Sequence, residues 1–247
     1  MAAPRTSAGR LFTLLGVFSA ARPSANLSEL SRHSGLPLST THRLVSELVS
    51  WGALERDGKR YRIGLRLWEL GTLSPGSLDL RERALPFMED LFEVTRHNVQ
   101  LAIRDGLDAV YVDRISAVDA VNVVTRMGSR LPVHATGVGL VLLAHASVEI
   151  QQLALSSPLR TFTPKTISSQ RRLREALANV RRDGYAISDR QIEMITYSVA
   201  APVRDQQDEV VAAVSVVVPK ETRTDTVVPA VRTCGLAISR AMGWRVS

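Results

Sequence analysis

Apolar side chains recur at three- and four-residue intervals near the start of the chain, which is the spacing of one helical face. In the segment LFTLLGVFSAA this face carries Leu11, Leu14, Leu15 and Phe18. Arg5 and Arg10 precede the segment, so it also resembles the charged and apolar regions of a signal peptide. We favour a helix of a folded domain, because the following residues complete a helix-turn-helix unit and the chain has only one cysteine.

The next segment, NLSELSRHSGLPLSTTHRLVSELVSW, predicts two further helices separated by a turn. Ser28 is placed to cap the first helix, and Gly35 suits the left-handed turn that ends it. Ser39 is placed to cap the second helix. The buried stripe of this second helix is predicted to contain Leu44, Leu48 and Trp51.

A β-hairpin is predicted in ALERDGKRYRIG, where Asp57 and Gly58 lie between two short runs. Tyr61 and Ile63 alternate with arginines, so one face of the hairpin can pack on the helices while the other is charged. A charged hairpin beside two such helices is typical of a winged helix-turn-helix. The basic residues available on its solvent side are Arg56, Lys59, Arg60 and Arg62.

The spacing of apolar residues changes after the hairpin. Pro75 and Gly76 interrupt the helical pattern and mark a linker. The runs VQLAIRDG and DAVYVDRI predict a hairpin with a longer loop, and further strands are predicted in VNVVTRM, YSVAAPV and VVAAVSVVVP. Helices are predicted at 137–156 and in SSQRRLREALANVRRDG, where Gly184 would end the helix. Strands and helices without regular βαβ alternation predict an α+β fold with a mainly antiparallel sheet.

These boundaries predict three segments. They are a winged helix-turn-helix domain at 1–70, a helical linker region at 71–96 and a larger domain at 97–247. The length of 247 residues fits one or two domains, and 45% hydrophobic residues exclude a mostly disordered chain.

Charge is concentrated in the first segment. The chain carries 31 Lys and Arg residues against 24 Asp and Glu residues, a formal net charge of +7. Residues 1–66 account for +6 of it. Such an excess favours an anionic partner, either nucleic acid or a membrane surface, and its concentration beside a helix-turn-helix favours DNA. Two alternatives to DNA binding are a basic face that is only solvated and a helical module that binds protein.

The start of the second predicted helix of this unit holds side chains that can reach base edges and phosphates in a major groove. We expect groove contacts from Ser39, Thr40, Thr41, His42 and Arg43. The basic hairpin residues Arg56, Lys59, Arg60 and Arg62 are expected to contact phosphates, which supplies affinity without sequence information.

The motifs of common enzymes and metal proteins are absent from the sequence. Cys234 is alone, so it can form neither a disulfide framework nor a cysteine-based zinc site, and we interpret it as a core residue rather than a nucleophile. The five histidines lack metal-ligand spacing. No Walker A sequence, complete dinucleotide fingerprint or G-x-S-x-G elbow occurs. We therefore expect no metal, no cofactor and no enzymatic activity. No apolar run is long enough for a membrane span.

The stretch LSELSRHSGLPLSTTHRLVSELVSWGALERDGKRYRIG resembles the amino-terminal domain of IclR-family bacterial transcriptional regulators. The resemblance continues, in the family's order, through LPVHATGVGLVLLA at 131–144 and through GYAISDRQIEMITYSVAAPVRDQQDEVVAAVSVVVP at 184–219. It implies a cytoplasmic, effector-responsive DNA-binding regulator with a GAF-like effector domain. It also implies a homodimer or a dimer of dimers, which would match a palindromic operator.

Family resemblance further implies where a small-molecule effector binds. The backbone amides of Gly137 and Val138 would approach an anionic group of the ligand near a helix start, which favours a carboxylate. Motif by motif, the candidates are Val123, Leu131, Gly137, Val138, Ser188, Asp189, Thr196, Ser198 and Ser215. Where many members have an acidic run, this chain has Arg190, which either pairs with a negative group of the ligand or points to solvent, as we favour.

The sequence thus predicts a transcriptional regulator whose binding to double-stranded DNA is modulated by a small molecule. Two alternatives come from other classes. One is a small-molecule enzyme with a basic regulatory domain, and the other is a protein that coats DNA without sequence preference. Turnover of a bound metabolite would favour the first, and equal affinity for every duplex would favour the second.

Overall fold

A computed structural model describes residues 6–19, 21–73, 77–117 and 125–245. The chain divides into two compact units, residues 1–78 and 79–247. The described elements of the first unit are, in chain order, α1 (Ser7–Leu15), β1 (Ser24–Asn26), α2 (Leu27–Ser34), α3 (Leu38–Trp51), β2 (Leu54–Asp57), β3 (Arg60–Ile63) and α4 (Leu65–Thr72).

The turn between α2 and α3 forms as predicted, but the caps differ. Asn26, not Ser28, caps α2, because its side chain accepts from the Glu29 amide while the Glu29 carboxylate accepts from the Asn26 amide. This reciprocal pair is a capping box. Gly35 ends α2 with a φ of +69°, in the left-handed region that favours glycine.

The N-cap of α3 lies two residues earlier than the sequence predicts. Pro37 occupies the N-cap position, so Ser39 lies inside the first turn and does not cap the helix. Leu44 and Leu48 are buried as predicted. Trp51 is not, since its side chain is 43% exposed at the last turn of α3.

The predicted hairpin is present and belongs to a three-stranded sheet. Strand β3 lies in the middle, paired with β2 and with β1, which the sequence did not predict. Asp57 pairs with Arg60, so the two turn residues are Gly58 and Lys59, one position later than the prediction. The core of the unit contains Leu14, Leu30, Leu44 and Leu54.

The second unit is a sheet covered by helices on both faces. In chain order its described elements are α5 (Ser77–Thr95), β4 (Asn98–Asp105), β5 (Asp108–Ile115), β6 (Arg130–Pro132), a 3-10 turn (Val133–Ala135), α6 (Gly137–Ala144), α7 (Val148–Ser156), α8 (Gln170–Asp183), β7 (Ala186–Asp189), β8 (Thr196–Arg204), β9 (Val210–Pro219) and α9 (Thr224–Ala241). The six strands pair antiparallel in the order β6-β5-β4-β9-β8-β7. The predicted α+β class and antiparallel sheet are confirmed.

Two apolar clusters lie on the two faces of this sheet. One contains residues of α5 and α9, including Met88 and Ile238, together with one set of strand residues. The other contains residues of α6 and α8, including Leu143 and Leu177, together with the alternate set. The period of two along each strand divides its side chains between the clusters.

Three local features of this unit differ from the sequence predictions or lie partly outside the described residues. The hairpin of β4 and β5 has a two-residue turn, because Asp105 pairs with Asp108, and not the longer loop expected. The helical segment 137–156 is two helices, α6 and α7. The predicted strand VNVVTRM falls partly on residues 121–124, outside the described residues, and its remainder at 125–127 is not a strand.

Candidate functional site

The N-terminal part of α3 presents a polar surface to solvent. Ser39, His42 and Arg43 are exposed, and Thr40 is partly exposed. Arg43 Nη1 lies 2.7 Å from Glu47 Oε1, one helical turn further along. The two side chains are 59% and 52% exposed, so the pair contributes little to folding and Arg43 can exchange its partner for another anion.

Thr41, a predicted groove residue, is not available at this surface. Its side chain is fully buried, and its hydroxyl donates to Pro37 O at 3.1 Å. The helical period explains the correction, because Thr41 shares the inward face with Leu44 and Leu48. Its role in this structure is to fix the start of α3.

An open groove follows the exposed face of α3 and includes a residue that the sequence analysis did not select. Arg66, from α4, donates Nη1 to Trp51 O at 3.0 Å and holds its guanidinium 4.3 Å from the centre of the Trp51 ring. The Arg66 guanidinium thus donates a hydrogen bond to a carbonyl oxygen that the end of α3 leaves without a helical partner, and it also stacks on the Trp51 indole. The residues lining the groove are His42, Arg43, Ser46, Glu47, Ser50, Trp51 and Arg66.

All four predicted phosphate contacts on the hairpin are exposed, but their present partners differ. Arg60 donates to Ser24 Oγ and pairs with Glu29 at 3.3 Å, while Arg62 pairs with Glu55. Arg56 donates to the carbonyl oxygen of Gly58, and Lys59 lies at the turn itself. Arg56 and Lys59, at and beside the hairpin turn, are therefore better placed to bind a phosphate than Arg60 and Arg62, which already form ion pairs.

A cavity opens on the α6 face of the large sheet. Its free space, the open mouth included, is about 420 Å³. Hydroxyl, amide and apolar groups predominate among its described lining residues, which are Gln100, Tyr111, Thr125, Leu131, Ala135, Thr136, Ser188, Gln191, Ile192, Glu193, Thr196, Ser198 and Val217.

Four of the predicted effector residues, Leu131, Ser188, Thr196 and Ser198, line this cavity. They come from β6, β7 and β8, which antiparallel pairing brings into one sheet. Val123 lies outside the described residues.

Gly137 and Val138 form the start of α6. The Thr136 side chain accepts from Gly139 N, and Thr136 O accepts from Leu140 N, whereas the amides of Gly137 and Val138 have no hydrogen-bond partner in the described part of the chain. A Cβ at Gly137 would lie 2.9 Å from Ser198 Oγ. Glycine therefore lets the helix start approach β8 closely, beside a residue that lines the cavity.

Ser215 carries an unsatisfied hydroxyl. Its side chain is fully buried, and among the described side chains its Oγ is the one buried polar atom without a hydrogen-bond partner. Ser215 pairs with Gln100 on β4 and lies two residues from Val217 on the same face of β9, and both of these neighbours line the cavity. A buried hydroxyl in this position favours an incoming polar group.

Asp189 ends β7, and Arg190 follows it in the loop to β8. Because side chains alternate along the strand, Ser188 faces the cavity and Asp189 does not. Asp189 instead binds Arg190, whose guanidinium lies 5.6 Å from the centre of the Tyr197 ring. The guanidinium lowers the pKa of Asp189 below its ordinary value. Neither Asp189 nor Arg190 is among the described residues that line the cavity.

Tyr111, which lines the cavity, and His134, in the turn before α6, are both uncharged at neutral pH. Burial raises the pKa of Tyr111 well above its ordinary value, although a hydrogen bond with Thr136 acts in the opposite direction. Burial also lowers the pKa of His134, whose Nε2 donates to Arg160 O at 3.0 Å. At neutral pH the phenol keeps its proton and the imidazole is uncharged.

The wall contributed by β4, β5 and the segment before β8 was not predicted from the sequence. Gln100 and Tyr111 are polar or amphipathic residues inside apolar runs. Such a run predicts a strand, but it does not indicate which face of the strand will line a cavity. Gln100 donates to Thr125 Oγ1 and is almost fully buried. Gln191 and Glu193 lie in a loop whose path the sequence does not specify.

The lone cysteine is not among the described residues that line the cavity. Cys234 lies on α9, is 6% exposed and directs its Sγ towards Phe87 O at 3.3 Å. Burial, with a smaller contribution from the charge of Asp90, raises the pKa of this thiol to about 12. A thiol with this pKa is a poor nucleophile at neutral pH, in agreement with its interpretation as a core residue.

Within 6–19, 21–73, 77–117 and 125–245, histidine, cysteine and acidic side chains nowhere form a group of three that could hold a metal ion. No helix of these ranges combines the length and the apolar character that a membrane crossing requires.

Comparison with known proteins matches both units. Residues 7–58 match the IclR helix-turn-helix domain, and residues 73–240 match the family described as bacterial transcriptional regulator IclR C-terminal. The chain is 33% identical over 249 residues to the HTH-type transcriptional regulator XynR of Escherichia coli, covering 96% of this chain and 97% of XynR. It is 31% identical to KipR of Bacillus subtilis, covering 90% of this chain and 92% of KipR.

A solved structure extends this similarity to the fold. An IclR homolog from Microbacterium hydrocarbonoxydans, crystallised in complex with 4-hydroxybenzoate, is 36% identical to this chain and superimposes with a TM-score of 0.90. The match covers 95% of this chain and 98% of that one.

Cys234 gives a direct test of the packing of α9. At pH 8 we expect iodoacetamide to alkylate the native protein about 10³-fold more slowly than the unfolded chain, because a pKa of about 12 leaves very little thiolate. Mass spectrometry measures the reaction, and the same sample in denaturant is the control. Complete modification of the folded protein at the rate of the unfolded one would mean that α9 does not bury this thiol.

Proposed function

Because this chain belongs to the IclR family of bacterial transcriptional regulators, we propose that residues 1 to about 70 read a palindromic operator, that 71–96 link the domains, and that 97–247 bind a small-molecule effector. The observation that carries the proposal is the pairing of an exposed polar helix start, beside a basic hairpin, with a separate cavity in the same chain.

Ser39, Thr40, His42 and Arg43 are proposed to read base edges. Their exposure at the start of α3 supports this role, since recognition helices contact bases from their N-terminal residues. Arg43 is the strongest candidate for sequence preference, because a guanidinium can donate two hydrogen bonds to guanine.

Phosphate contacts are proposed for Arg56, Lys59, Arg60 and Arg62. The formal charge of +6 over residues 1–66 supports them. Arg60 and Arg62 would exchange a partly exposed carboxylate partner for a phosphate. Arg66 borders the same groove as Arg43, and we add it to the candidate phosphate contacts.

A homodimer is proposed, with α4 in its interface. The described part of α4 buries none of its own residues, although it carries Leu65, Trp68 and Leu70, which are 59%, 66% and 48% exposed. Leu73, directly after the helix, is 74% exposed. An apolar helix of this kind is covered in most proteins by a partner. A second copy is the partner that a palindromic operator requires.

The effector is proposed to be a compact organic carboxylate. The two α6 amides without partners and the Ser198 hydroxyl offer hydrogen-bond donors near a helix N-terminus, where negative charge is favoured. The Microbacterium homolog binds 4-hydroxybenzoate, so aromatic carboxylates are the first class to examine. Val138 and Ser215 would support the site from beneath, since both are buried beside it.

Effector and DNA are proposed to act on each other through the linker. If an effector changes operator affinity by some factor, the operator must change effector affinity by the same factor. The relatives named above are transcriptional regulators, which supports a role outside catalysis and a location in the cytoplasm.

Sequence recognition can be measured by fluorescence anisotropy at one stated salt concentration, with a duplex from the region upstream of the gene and a scrambled duplex. We expect the native duplex to bind about 10³-fold more tightly or better. Arg43→Ala should lose about 1 to 3 kcal/mol and relax the preference, whereas Lys59→Ala should weaken both duplexes alike and lower the salt slope by about one.

Arg171→Ala is the matched control, because Arg171 is an 83% exposed arginine of the second unit. It should leave both affinities unchanged. Equal effects of Arg43→Ala and Lys59→Ala on the two duplexes would contradict the assigned roles, and equal binding of all random duplexes in a selection would indicate a DNA-coating protein.

Dimer formation through α4 can be measured by sedimentation equilibrium. We expect Trp68→Ser to weaken self-association at least tenfold, because it removes a large apolar side chain from the proposed interface. Val148→Ser, at a 64% exposed position of α7, should have no effect. Self-association that is unchanged by Trp68→Ser would remove α4 from the interface.

Effector modulation can be measured by repeating the operator titration with saturating 4-hydroxybenzoate or benzoate. We expect at least one of them to change the operator affinity about 5- to 150-fold, the usual range of coupling between two sites. An operator affinity that stays constant, although calorimetry detects ligand binding, would contradict the coupling.

A further inference from the structure

Trp51 is a large aromatic residue that does not belong to the apolar core of the first unit. It ends α3, is 43% exposed and lines the open groove along that helix. The guanidinium of Arg66 covers its ring at 4.3 Å from the ring centre. The exposed indole therefore serves as a platform for a cation rather than as a packing residue.

The backbone around Gly52 fixes where Arg66 lies. Gly64, the N-cap of α4, donates its amide hydrogen to Ala53 O at 2.8 Å, and a Cβ at Gly64 would collide with the backbone of Gly52. The start of α4 is therefore packed directly against the end of α3. Two residues later, the Arg66 side chain passes Gly52 and donates Nη1 to Trp51 O at 3.0 Å. Both the stem and the guanidinium of Arg66 are thus held in place.

Arg66 also differs in charge pairing from other arginines of the DNA-binding unit. Arg43, Arg60 and Arg62 each form an ion pair with a glutamate. The polar contact of Arg66 in the described part of the chain is a carbonyl oxygen, and its other contact is the Trp51 ring. A phosphate that binds Arg66 would therefore displace no carboxylate, and its charge would meet a full positive charge.

The groove joins this pair to the proposed base-reading residues. It is lined by His42 and Arg43 near the start of α3, and by Trp51 and Arg66 near its end. Arg43 and Trp51 are eight residues apart on one helix, which corresponds to about 12 Å. The major groove of DNA is about 12 Å wide. When Arg43 meets base edges, the last turn of α3 therefore lies at about the distance of the phosphates that border the groove.

We propose that Trp51 is a positioning residue that holds Arg66 ready to bind a DNA phosphate at the edge of the major groove. This inference rests on the proposed DNA-binding function. A guanidinium that is already stacked loses less side-chain freedom on binding than a mobile one. Its planar fork matches two oxygens of a phosphate, and such a contact supplies affinity without sequence information.

The test measures the affinity of the full-length protein for a short duplex of random sequence, by fluorescence anisotropy over a series of salt concentrations. Arg66→Gln should weaken binding about tenfold at about 0.1 M salt and lower the salt slope by about one, because one phosphate contact is lost. Trp51→Leu keeps the charge of Arg66 but removes the stack, so it should weaken binding about threefold. Trp51→Phe should restore most of that loss, since phenylalanine keeps an aromatic face.

A double-mutant cycle separates positioning from a general effect on stability. If Trp51 acts through Arg66, then Trp51→Leu should have no further effect on DNA affinity when Arg66→Gln is already present. Thermal unfolding followed by circular dichroism checks that each variant is folded at the temperature of the titration. A loss from Trp51→Leu that is equal in both backgrounds would overturn the positioning role, and so would a salt slope that Arg66→Gln leaves unchanged.

Arg171→Gln is the matched control, because it removes one arginine charge at an 83% exposed position of the second unit. It should leave the affinity and the salt slope as they are. A native protein that binds the duplex while Arg66→Gln behaves identically would overturn this inference and leave the DNA-binding function standing. A native protein without affinity for any duplex, even at low salt, would overturn both.

Discussion

The alternation of side chains along β9 is the constraint on which the second unit depends. This strand lies between β4 and β8 and is buried over most of its length. Val214, Val216 and Val218 pack in the cluster that contains α5 and α9, while Ala213 belongs to the cluster of α6. Ser215 and Val217 follow Ala213 on the same face. A slip of one residue would exchange the two faces, so the strand register that builds both cores also builds the floor of the cavity.

Glycines then set how closely the helices approach this sheet. A Cβ at Gly139 would lie 2.4 Å from Val133 O, and one at Gly235 would lie 2.8 Å from Pro202 O. The first keeps the start of α6 tight against the preceding turn, and the second seats α9 on β8. Such contacts leave little room for adjustment in a close-packed interior. The approach of α6 and α9 to their neighbours is therefore defined by backbone as much as by side chains.

Much of this architecture could be predicted from local patterns. The helical spacing of Leu44 and Leu48 and the turn at Gly35 were sufficient for the helix-turn-helix, because both signals act within a few residues. Thr41 was misplaced, since a threonine beside polar neighbours gives no local indication that it faces inward. The short strand β1 was missed because its three residues carry almost no pattern.

The cavity was less predictable, for a physical reason. Its walls combine residues such as Gln100 and Ser198, which are far apart in sequence and meet through strand order and register. Asp189 was assigned to the wrong face because motif similarity does not state which side of a strand a residue occupies. Glu193 lies in a loop, and its position depends on two threonines about 30 residues earlier.

The attachment of that loop has a consequence for how such regulators diversify. Thr163 and Thr166 hold it by the carbonyl oxygens of Arg190 and Gln191, which every amino acid possesses. Substitutions at 192 or 193 therefore do not remove these bonds. After gene duplication, changes in this short segment alter the lining of the cavity, and with it the choice of small molecule, while the inherited scaffold and its helix-turn-helix stay the same.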